Sequence, residues 1–410
     1  MSDMSEMKDS EIDWIGKCPT SWQFLKGKYI FTLRNDRGNT IELQLLSPTQ
    51  KFGVIPQSLF EELTTNTTVK VKENTDLSQF KTIHKGDFCI SLRSFQGGFE
   101  YCAYEGVVSP AYQVFYPTTK ICDNYYKYLF KDQSFISKMN SYTLSLRDGK
   151  NIAFTDFGNT YLPIPPLSEQ EIISSFLDEK CLEIDKLFMD IQSEIDSLEE
   201  YRMSIINEVL RCGISGKSKH KEVRFKYIAT VKANLVPPTF FLEYPQVSPE
   251  NITKNTGKLL SYSTVEDSGI ISGNHLFYKG QIIYSKIRPN LNKAIIAPFD
   301  GLCSADMYPI EAKINSKYLL YAMLSRHFVE QVTLIMQDRV KMPKINQDEL
   351  GNIGVYIAPD IEQKEIVLYL DKKCAEIDSI IETKKEQLTV LDEYKKTIIY
   401  EYVTGKKEVV

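Results

Sequence analysis

Two pairs of polar, mostly basic clusters are the residues of this chain whose types and spacing could do chemistry. Side chains of these types donate hydrogen bonds to phosphate oxygens and base edges, Arg and Lys to guanine and Asn or Gln to adenine. The clusters therefore predict contact with DNA, whereas any single member could equally be a solvated loop side chain. The members are Arg93, Ser94 and Gln96 with Arg147, Lys150 and Asn151 in the first half, and Lys286, Arg288, Asn290, Asn292 and Lys293 with Arg339, Lys341 and Lys344 in the second.

Sequence motifs for catalysis are missing. The nearest run to the Asn/Asp-Pro-Pro-aromatic motif of amino-methyltransferases is 236–239 (VPPT), which lacks the amide or carboxylate. No P-loop is present. Asp360, Glu362 and Lys364 resemble a nuclease signature, but they lie together at the start of a predicted helix, where Asp360 is better used as a cap. No two cysteines form CxxC, and the four histidines are far apart. We expect no catalytic residue, no metal site and no cofactor.

An internal repeat defines the elements that must position the clusters. The segment 176–185 (FLDEKCLEID) recurs 193 positions later as 369–378 (YLDKKCAEID). At the same shift Glu169-Gln170 aligns with Glu362-Gln363, and Gly158 aligns with Gly351. Segments near the start of each half also match, among them KYI at 28–30 and at 226–228. Fixed-period self-similarity indicates a duplicated structural unit.

Each copy reads as a mixed globular part followed by one long helix. Short β-rich segments bounded by Gly or Pro alternate with stretches of helical apolar spacing, which predicts an α/β (α+β) class. We predict globular domains at 1–163 and 216–357 and long helices within 164–215 and 358–410. Ser168 is the expected N-cap of the first long helix, with Glu171 completing a capping box.

Interleaved heptad series run along both helices. In the first they are Leu177, Ile184, Ile191, Leu198, Ile205 and Cys181, Phe188, Ile195, Arg202, Val209; in the second they are Leu370, Ile377, Lys384, Leu391, Ile398 and Cys374, Ile381, Leu388, Lys395, Tyr402. Such seams indicate coiled-coil packing. Two homologous helices in one chain pair most simply antiparallel, with pseudo-two-fold symmetry between the globular domains. Arg202 and Lys395 occupy the same slot, and either meet acidic neighbours or lie at the edge of the seam.

The charge of the chain is segregated. The net charge is −5, yet 164–212 contains twelve acidic and four basic residues and 360–403 contains eleven and seven, which leaves +7 on the rest. A chain can thus bind phosphate locally while being acidic overall. Eight dispersed cysteines suit a reducing compartment, and neither a signal peptide nor an apolar run of membrane length is evident. We expect a cytoplasmic protein.

The duplicated motifs carry a family resemblance. The runs IPPLSEQ with FLDEKCLEID and APDIEQKEI with YLDKKCAEID, each followed by an acidic heptad helix ending in SGK or TGK, resemble the specificity (S) subunits of type I restriction-modification systems. The resemblance covers nearly the whole chain, and the duplicated order of the motifs is more specific than any one of them.

The resemblance implies a non-catalytic subunit. Each globular part would be a target-recognition domain for one half of a bipartite sequence in double-stranded DNA. The helices would set the spacing and dock two methyltransferase subunits, and restriction subunits would complete the endonuclease. The alternative is a coiled-coil adaptor that binds proteins without DNA specificity.

Overall fold

The computed structural model describes residues 6–37, 43–64, 79–90, 98–142, 152–337, 339 and 343–409. Its contacts divide the chain into two compact units. The first unit comprises Met1–Asp190 and Gln387–Val410, and the second comprises Ile191–Glu386. Each unit therefore contains one globular part and a segment of each long helix. The predicted segment boundaries after residues 163, 215 and 357 describe the order along the chain and stay a prediction.

The first unit is built from short strands and helices that precede a long helix. The strands are β1 (Met7–Asp9), β2 (Lys17–Pro19), β3 (Gln23–Lys26), β4 (Phe31–Arg34), β5 (Leu46–Thr49), β6 (Gly53–Pro56), β7 (Lys81–Ile83), β8 (Phe88–Ile90), β9 (Phe99–Tyr101), β10 (Gly106–Val108), β11 (Gln113–Pro117) and β12 (Tyr161–Ile164). The helices are α1 (Gly27–Ile30), α2 (Gln57–Leu63), α3 (Asp123–Leu129), α4 (Gln133–Ser141), α5 (Phe154–Asn159) and α6 (Leu167–Cys212), whose first part belongs to this unit.

An aromatic core holds the main sheet of the first unit. Four strands pair antiparallel in the order β4-β11-β8-β9, and β3 pairs with β12. The rings of Phe31 and Phe115 lie 5.5 Å apart and those of Phe115 and Phe157 lie 4.9 Å apart, and all three are buried. Aromatic pairs of this geometry contribute about 0.5–1.5 kcal/mol each beyond the burial of their area. The sheet is thus fixed to α5 and to the chain that leads into α6.

The second unit repeats this plan with additions. Its strands are β13 (Lys221–Arg224), β14 (Ala229–Val231), β15 (Leu235–Val236), β16 (Pro245–Val247), β17 (Ser263–Thr264), β18 (Asn274–Phe277), β19 (Ile282–Ser285), β20 (Ala294–Ile296), β21 (Gly301–Cys303), β22 (Met307–Ala312) and β23 (Gly354–Ile357). Its helices are α7 (Phe225–Ile228), α8 (Val265–Ser268), α9 (Ser316–Leu324), α10 (Arg326–Met336), α11 (Gln347–Asn352) and the first part of α12 (Asp360–Val403), with 3-10 turns at Pro238–Phe240, Pro249–Asn251 and Pro289–Leu291.

Sheet topology confirms the internal repeat. The order β14-β22-β19-β20 and the pair β13–β23 reproduce, strand for strand, the order β4-β11-β8-β9 and the pair β3–β12 of the first unit. The second unit also contains a five-stranded sheet, β15-β18-β21-β16-β17, in which β18 and β21 pair antiparallel and β16 and β21 run parallel. Part of this sheet recurs in the first unit, where β7 and β10 pair antiparallel and Leu45 forms a parallel bridge to Val107 of β10. The sequence predicted the duplicated framework but not this second sheet.

Repeated glutamines tie each long helix to its globular part. The buried Gln170 accepts a hydrogen bond from the Cys122 N–H at 2.9 Å and donates to the Pro165 carbonyl at 2.8 Å. Gln363, 193 residues later, accepts from the Asn315 N–H at 3.2 Å and donates to the Ala358 carbonyl at 2.8 Å. The helix begins at Leu167, so Ser168 lies inside its first turn and is not the N-cap that we predicted.

Within the first unit, the helical segments pack antiparallel. Leu177 and Ile184 of α6 share a buried core with Ile398 of α12. The Phe176 and Tyr402 rings are in contact, with centroids 4.5 Å apart, and the Lys395 Nζ lies 2.6 Å from the Asp185 Oδ1. As residue numbers increase along α6, the numbers of the α12 residues that they contact decrease, so the two segments run antiparallel. The predicted seam is confirmed here, with Phe188 as an exception because 38% of it is exposed.

Within the second unit, the helical segments also pack antiparallel. Lys384 of α12 forms an ion pair with Glu194 of α6, and the Arg202 Nε lies 3.6 Å from the Asp378 Oδ1. Arg202 and Lys395, for which the sequence left two interpretations open, therefore both meet an aspartate of the other helix. Ion pairs at seam positions fix the register of the helices.

The eight cysteines are all free, and six of them are buried. Across the part of the chain that the structure describes, no helix combines the length and apolarity needed to cross a membrane.

Candidate nucleic-acid interface

The 286–293 loop carries the first predicted cluster of the second unit, between β19 and β20. Its backbone takes the left-handed conformation twice, with φ of 41° at Arg288 and 43° at Asn292, around the 3-10 turn Pro289–Leu291. The Arg288 N–H donates to the Pro343 carbonyl at 3.0 Å, and Ile287 bridges to Lys344. Strained positive φ values persist only where surrounding contacts hold them. The surrounding contacts therefore hold this loop in one defined conformation.

Arg288 and Asn290 are the exposed polar side chains of this loop. The Arg288 guanidinium forms no ion pair with any residue within the described ranges. An unpaired exposed guanidinium next to an exposed amide can donate to a phosphate, or to guanine and adenine edges. The geometry thus leaves these two predicted residues available for a ligand.

Asn292 is a correction to the predicted cluster. Its side chain is 1% exposed, and its Nδ2 donates to the Met323 carbonyl at 2.9 Å. A side chain enclosed in the protein cannot reach a base or a phosphate. Asn292 instead anchors the loop, and asparagine suits this position because it tolerates positive φ better than most residues.

Lys286 and Lys293 are only partly available. The Lys293 Nζ donates to the Pro249 carbonyl at 2.7 Å, and the Lys286 Nζ lies 5.2 Å from the centre of the Tyr308 ring. Both lysines are half-buried. Their predicted contact with DNA stays a prediction, and Lys293 would have to release a carbonyl to make it.

The second predicted cluster lies between α10 and α11. Arg339 is exposed, pairs with Glu349 and donates to the Lys344 carbonyl, and its hydrogen bond lowers the pKa of Glu349. The Lys344 Nζ lies 2.9 Å from the Asp306 Oδ1. Both cations would therefore exchange an internal partner for a phosphate. Lys341 lies outside the described residues.

All predicted site residues of the first unit fall outside the described residues: Arg93, Ser94, Gln96, Arg147, Lys150 and Asn151. Their place in the chain nevertheless matches the second unit. Residues 91–98 connect β8 to β9 as the 286–293 loop connects β19 to β20, and residues 142–153 connect α4 to α5 as 337–346 connect α10 to α11. The contacts predicted for these six residues stay a prediction.

A buried carboxylate lies directly after the first cluster of the first unit. Glu100 in β9 has a side chain that is 1% exposed, and its Oε2 accepts from the Lys131 Nζ at 2.7 Å while its Oε1 has no hydrogen-bond partner. Burial raises the pKa of Glu100 to about 7, although Lys131 opposes the shift. The Glu100 carboxyl in this strand therefore changes its protonation state near neutral pH.

The sequence missed the turn at residues 253–258, which supports the 286–293 loop. The Asn255 N–H donates to the Asn292 carbonyl at 3.3 Å, and Arg202 donates to the Asn255 and Thr256 carbonyls. Nothing in the polar pattern of this turn distinguishes it from a solvated loop. The only available sign was Arg202 itself, a cation inside an apolar heptad series. No group of three or more His, Cys, Asp or Glu residues in the described portion of the chain could hold a metal ion.

Comparison with known proteins gives matches along most of the chain. The family model for the type I restriction modification DNA specificity domain matches twice, at 19–195 and 217–390. The EcoDI specificity subunit of a type I restriction enzyme from Escherichia coli is 38% identical over 187 residues, which cover 45% of this chain and 41% of that protein. The matched part is thus less than half the length of that relative.

Two further matches cover more of the chain. The MjaVIII type I restriction enzyme specificity subunit of Methanocaldococcus jannaschii is 20% identical over 363 residues, or 79% of this chain and 80% of that protein. A solved chain from work on complex assembly and conformational transition of the type I R-M system aligns with a TM-score of 0.69 at 13% identity, covering 95% of this chain and 99% of that one. At that identity the likeness concerns the fold alone.

Proposed function

The chain belongs to the type I restriction modification DNA specificity family, and on that premise we propose that it is the DNA-reading subunit of a type I restriction-modification complex. It binds double-stranded DNA and recognises a bipartite target, one half through each globular part. The observation that carries the proposal is the duplicated framework, in which β8–β9 and β19–β20 each flank a segment of polar sequence at the same place in the sheet order.

The proposed division of the chain follows its order. Residues 1–163 and 216–357 form target-recognition domains, and 164–215 and 358–410 contribute the spacer helices. In the second domain Arg288 and Asn290 supply the exposed donors that read bases or hold phosphates, and Arg339 and Lys344 add cationic contacts. The corresponding donors of the first domain are Arg93, Ser94, Gln96, Arg147, Lys150 and Asn151.

We also propose that the chain is non-catalytic and acts as a scaffold. Two methyltransferase subunits dock on the spacer helices, and restriction subunits join the complex. The methyl group and the cutting activity come from these partners. The proposed compartment is the cytoplasm, where thiols stay reduced, and the eight free cysteines support this choice.

The experiment is a binding and methylation assay with the purified chain and its methyltransferase partner. We expect a shift of genomic fragments that contain one bipartite motif, and an affinity whose logarithm falls linearly with the logarithm of salt concentration. Sequencing of methylated DNA identifies the motif. If the assembled complex neither shifts nor methylates DNA in a sequence-dependent way, the adaptor interpretation replaces this one.

A further inference from the structure

We infer that Arg202 is a positioning residue for base recognition by the second unit. It fixes the turn at 253–258 to the spacer helices, and through that turn it fixes the 286–293 loop. This inference rests on the function proposed above. Arg202 thus affects DNA specificity at one half-site without contacting DNA itself.

The Arg202 side chain joins three elements of the second unit. It is 6% exposed, its Nη1 donates to the Asn255 carbonyl at 2.7 Å, and its Nη2 donates to the Thr256 carbonyl at 3.1 Å. Its Nε lies 3.6 Å from the Asp378 Oδ1 on α12, and the other oxygen of Asp378 lies 2.7 Å from the Lys258 Nζ. A buried cation is costly unless it is paired, whereas an apolar residue would fill a heptad position at no such cost. The pairing of Arg202 with the turn is thus a specific structural feature.

The turn at 253–258 has a shape that depends on its contacts. Asn255 and Gly257 both have positive φ, of 56° and 72°. The Thr253 N–H donates to the Lys258 carbonyl at 3.1 Å, and a Cβ on Gly257 would lie 3.1 Å from Leu320 of α9. Two adjacent carbonyls, of Asn255 and Thr256, thereby face the forked guanidinium. Such a fork matches two acceptors at once, which a lysine ammonium cannot do.

The turn at 253–258 also holds the 286–293 loop, the candidate DNA-contacting loop. The Asn255 N–H donates to the Asn292 carbonyl at 3.3 Å, at the residue where the 286–293 loop takes its second positive φ. The Asn292 side chain is bound to Met323, so this end of the loop is held from both sides. The exposed Arg288 and Asn290 lie in the same loop. A loss of order at Asn255 therefore passes directly to the residues that read DNA.

The equivalent position in the first unit provides a matched control. Lys395 corresponds to Arg202 at the 193-residue shift, and its Nζ lies 2.6 Å from the Asp185 Oδ1. Within the described residues of that unit, the Lys395 ammonium pairs with Asp185 of α6, so its ion pair joins helix to helix. Lys395→Met thus removes a seam ion pair without removing support from the turn at 253–258, whereas Arg202→Met removes both.

The test measures discrimination at the two half-sites separately. Each variant is assembled with the methyltransferase subunits, and its affinity is measured for the full target and for targets with one substituted base pair in either half. The half-site of the second unit is the one at which Arg288→Ala reduces discrimination. We expect Arg202→Met to reduce discrimination there by about tenfold, the order of what one mismatched base pair carries. Discrimination at the other half-site stays as in the wild type, and Lys395→Met leaves the second half-site unchanged.

Several outcomes would overturn the inference. A folded Arg202→Met protein with normal discrimination at the second half-site removes its basis. So does an equal loss at both half-sites, since that result indicates a general effect on the spacer helices. If Arg202→Met does not fold, Arg202→Lys keeps a charge beside Asp378 but cannot bind both carbonyls, and unchanged discrimination in that variant is equally decisive. A wild-type complex that discriminates at neither half-site overturns the proposed function instead.

Discussion

Arg288→Ala isolates the contribution of the 286–293 loop to DNA binding. Arg288 is exposed and unpaired among the described residues, so its removal should change the free energy of unfolding by no more than about 0.5 kcal/mol. Arginine and alanine are both non-glycine residues at a φ of 41°, so the backbone strain is the same in both proteins. The variant therefore tests binding rather than folding.

The size of the effect depends on what the guanidinium contacts. A bidentate contact to guanine costs about 1–3 kcal/mol on removal and relaxes the preference at one position of the target. A phosphate contact instead weakens binding to all sequences and lowers the slope of log affinity against log salt by about 1. Both results are measured by titrating specific and unrelated duplexes at several salt concentrations with the assembled complex.

Arg326→Ala is the matched control for this experiment. Arg326 is also exposed and belongs to the same unit, but it lies at the start of α10, outside both predicted clusters. We expect its affinity and specificity to match those of the wild type. If Arg288→Ala likewise leaves affinity, base preference and salt slope unchanged, the loop does not read DNA and the assignment of the interface is wrong.

Four further substitutions, at three residues, test the framework around the interface. Asn292→Ala should destabilise the second unit by about 1–3 kcal/mol in denaturant unfolding, because the Met323 carbonyl loses its donor in a buried site. Asn292→Gly should be less destabilised than Asn292→Ala by about 0.5–1 kcal/mol, because glycine adopts the positive φ without strain; equal stabilities would argue against strain at this position. Gln363→Ala should cost about 1–3 kcal/mol in the same assay, because the buried Ala358 carbonyl and the half-buried Asn315 N–H lose their partner, and a neutral result would show that other contacts hold α12. In the folded protein the pKa of Glu100 is about 7, above the ordinary 4.5, so the unfolded state releases this proton at lower pH than the folded state does. The free energy of unfolding should therefore fall by about 3 kcal/mol as pH rises from 4.5 to 7. Thermal unfolding of Glu100→Gln should lose this pH dependence, and a variant with the wild-type pH profile would contradict the assignment to Glu100.

The duplicated fold was predictable because its signals are redundant. A shift of 193 residues aligns buried groups such as Gln170 and Gln363, whose hydrogen bonds turn out to be the same in both units. Heptad periodicity identified the seam because apolar residues must recur on one helix face to be buried. The five-stranded sheet of the second unit, part of which recurs in the first unit as the pair β7–β10, was not predicted, and two of its strands are only two residues long. Strands that short leave no alternation from which to predict them.

The site was predictable only at the level of loops. The polar composition of 286–293 indicated an exposed segment, and Arg288 and Asn290 are exposed there. Composition cannot show which of two nearby asparagines turns inward. Asn292 is buried because the carbonyl of Met323, thirty-one residues away in the chain, needs a donor. Likewise, the partners of Arg202 lie more than fifty residues from it and become visible only in the folded unit.

The two units share a framework but differ in the sequence of the segments that it connects, and this difference bears on the proposed DNA target. The residues between β8 and β9 (91–98, SLRSFQGG) and those between β19 and β20 (286–293, KIRPNLNK) share little sequence, although the flanking strands occupy the same places in the sheet order. Framework contacts such as those of Gln170 and Gln363 are retained because each unit must attach to its helices in the same way. Base edges are read by the side chains of loops, and different donors select different bases. If the two segments read the two halves of one palindromic target, similar sequences would serve both halves, so their divergence favours a target with two different halves.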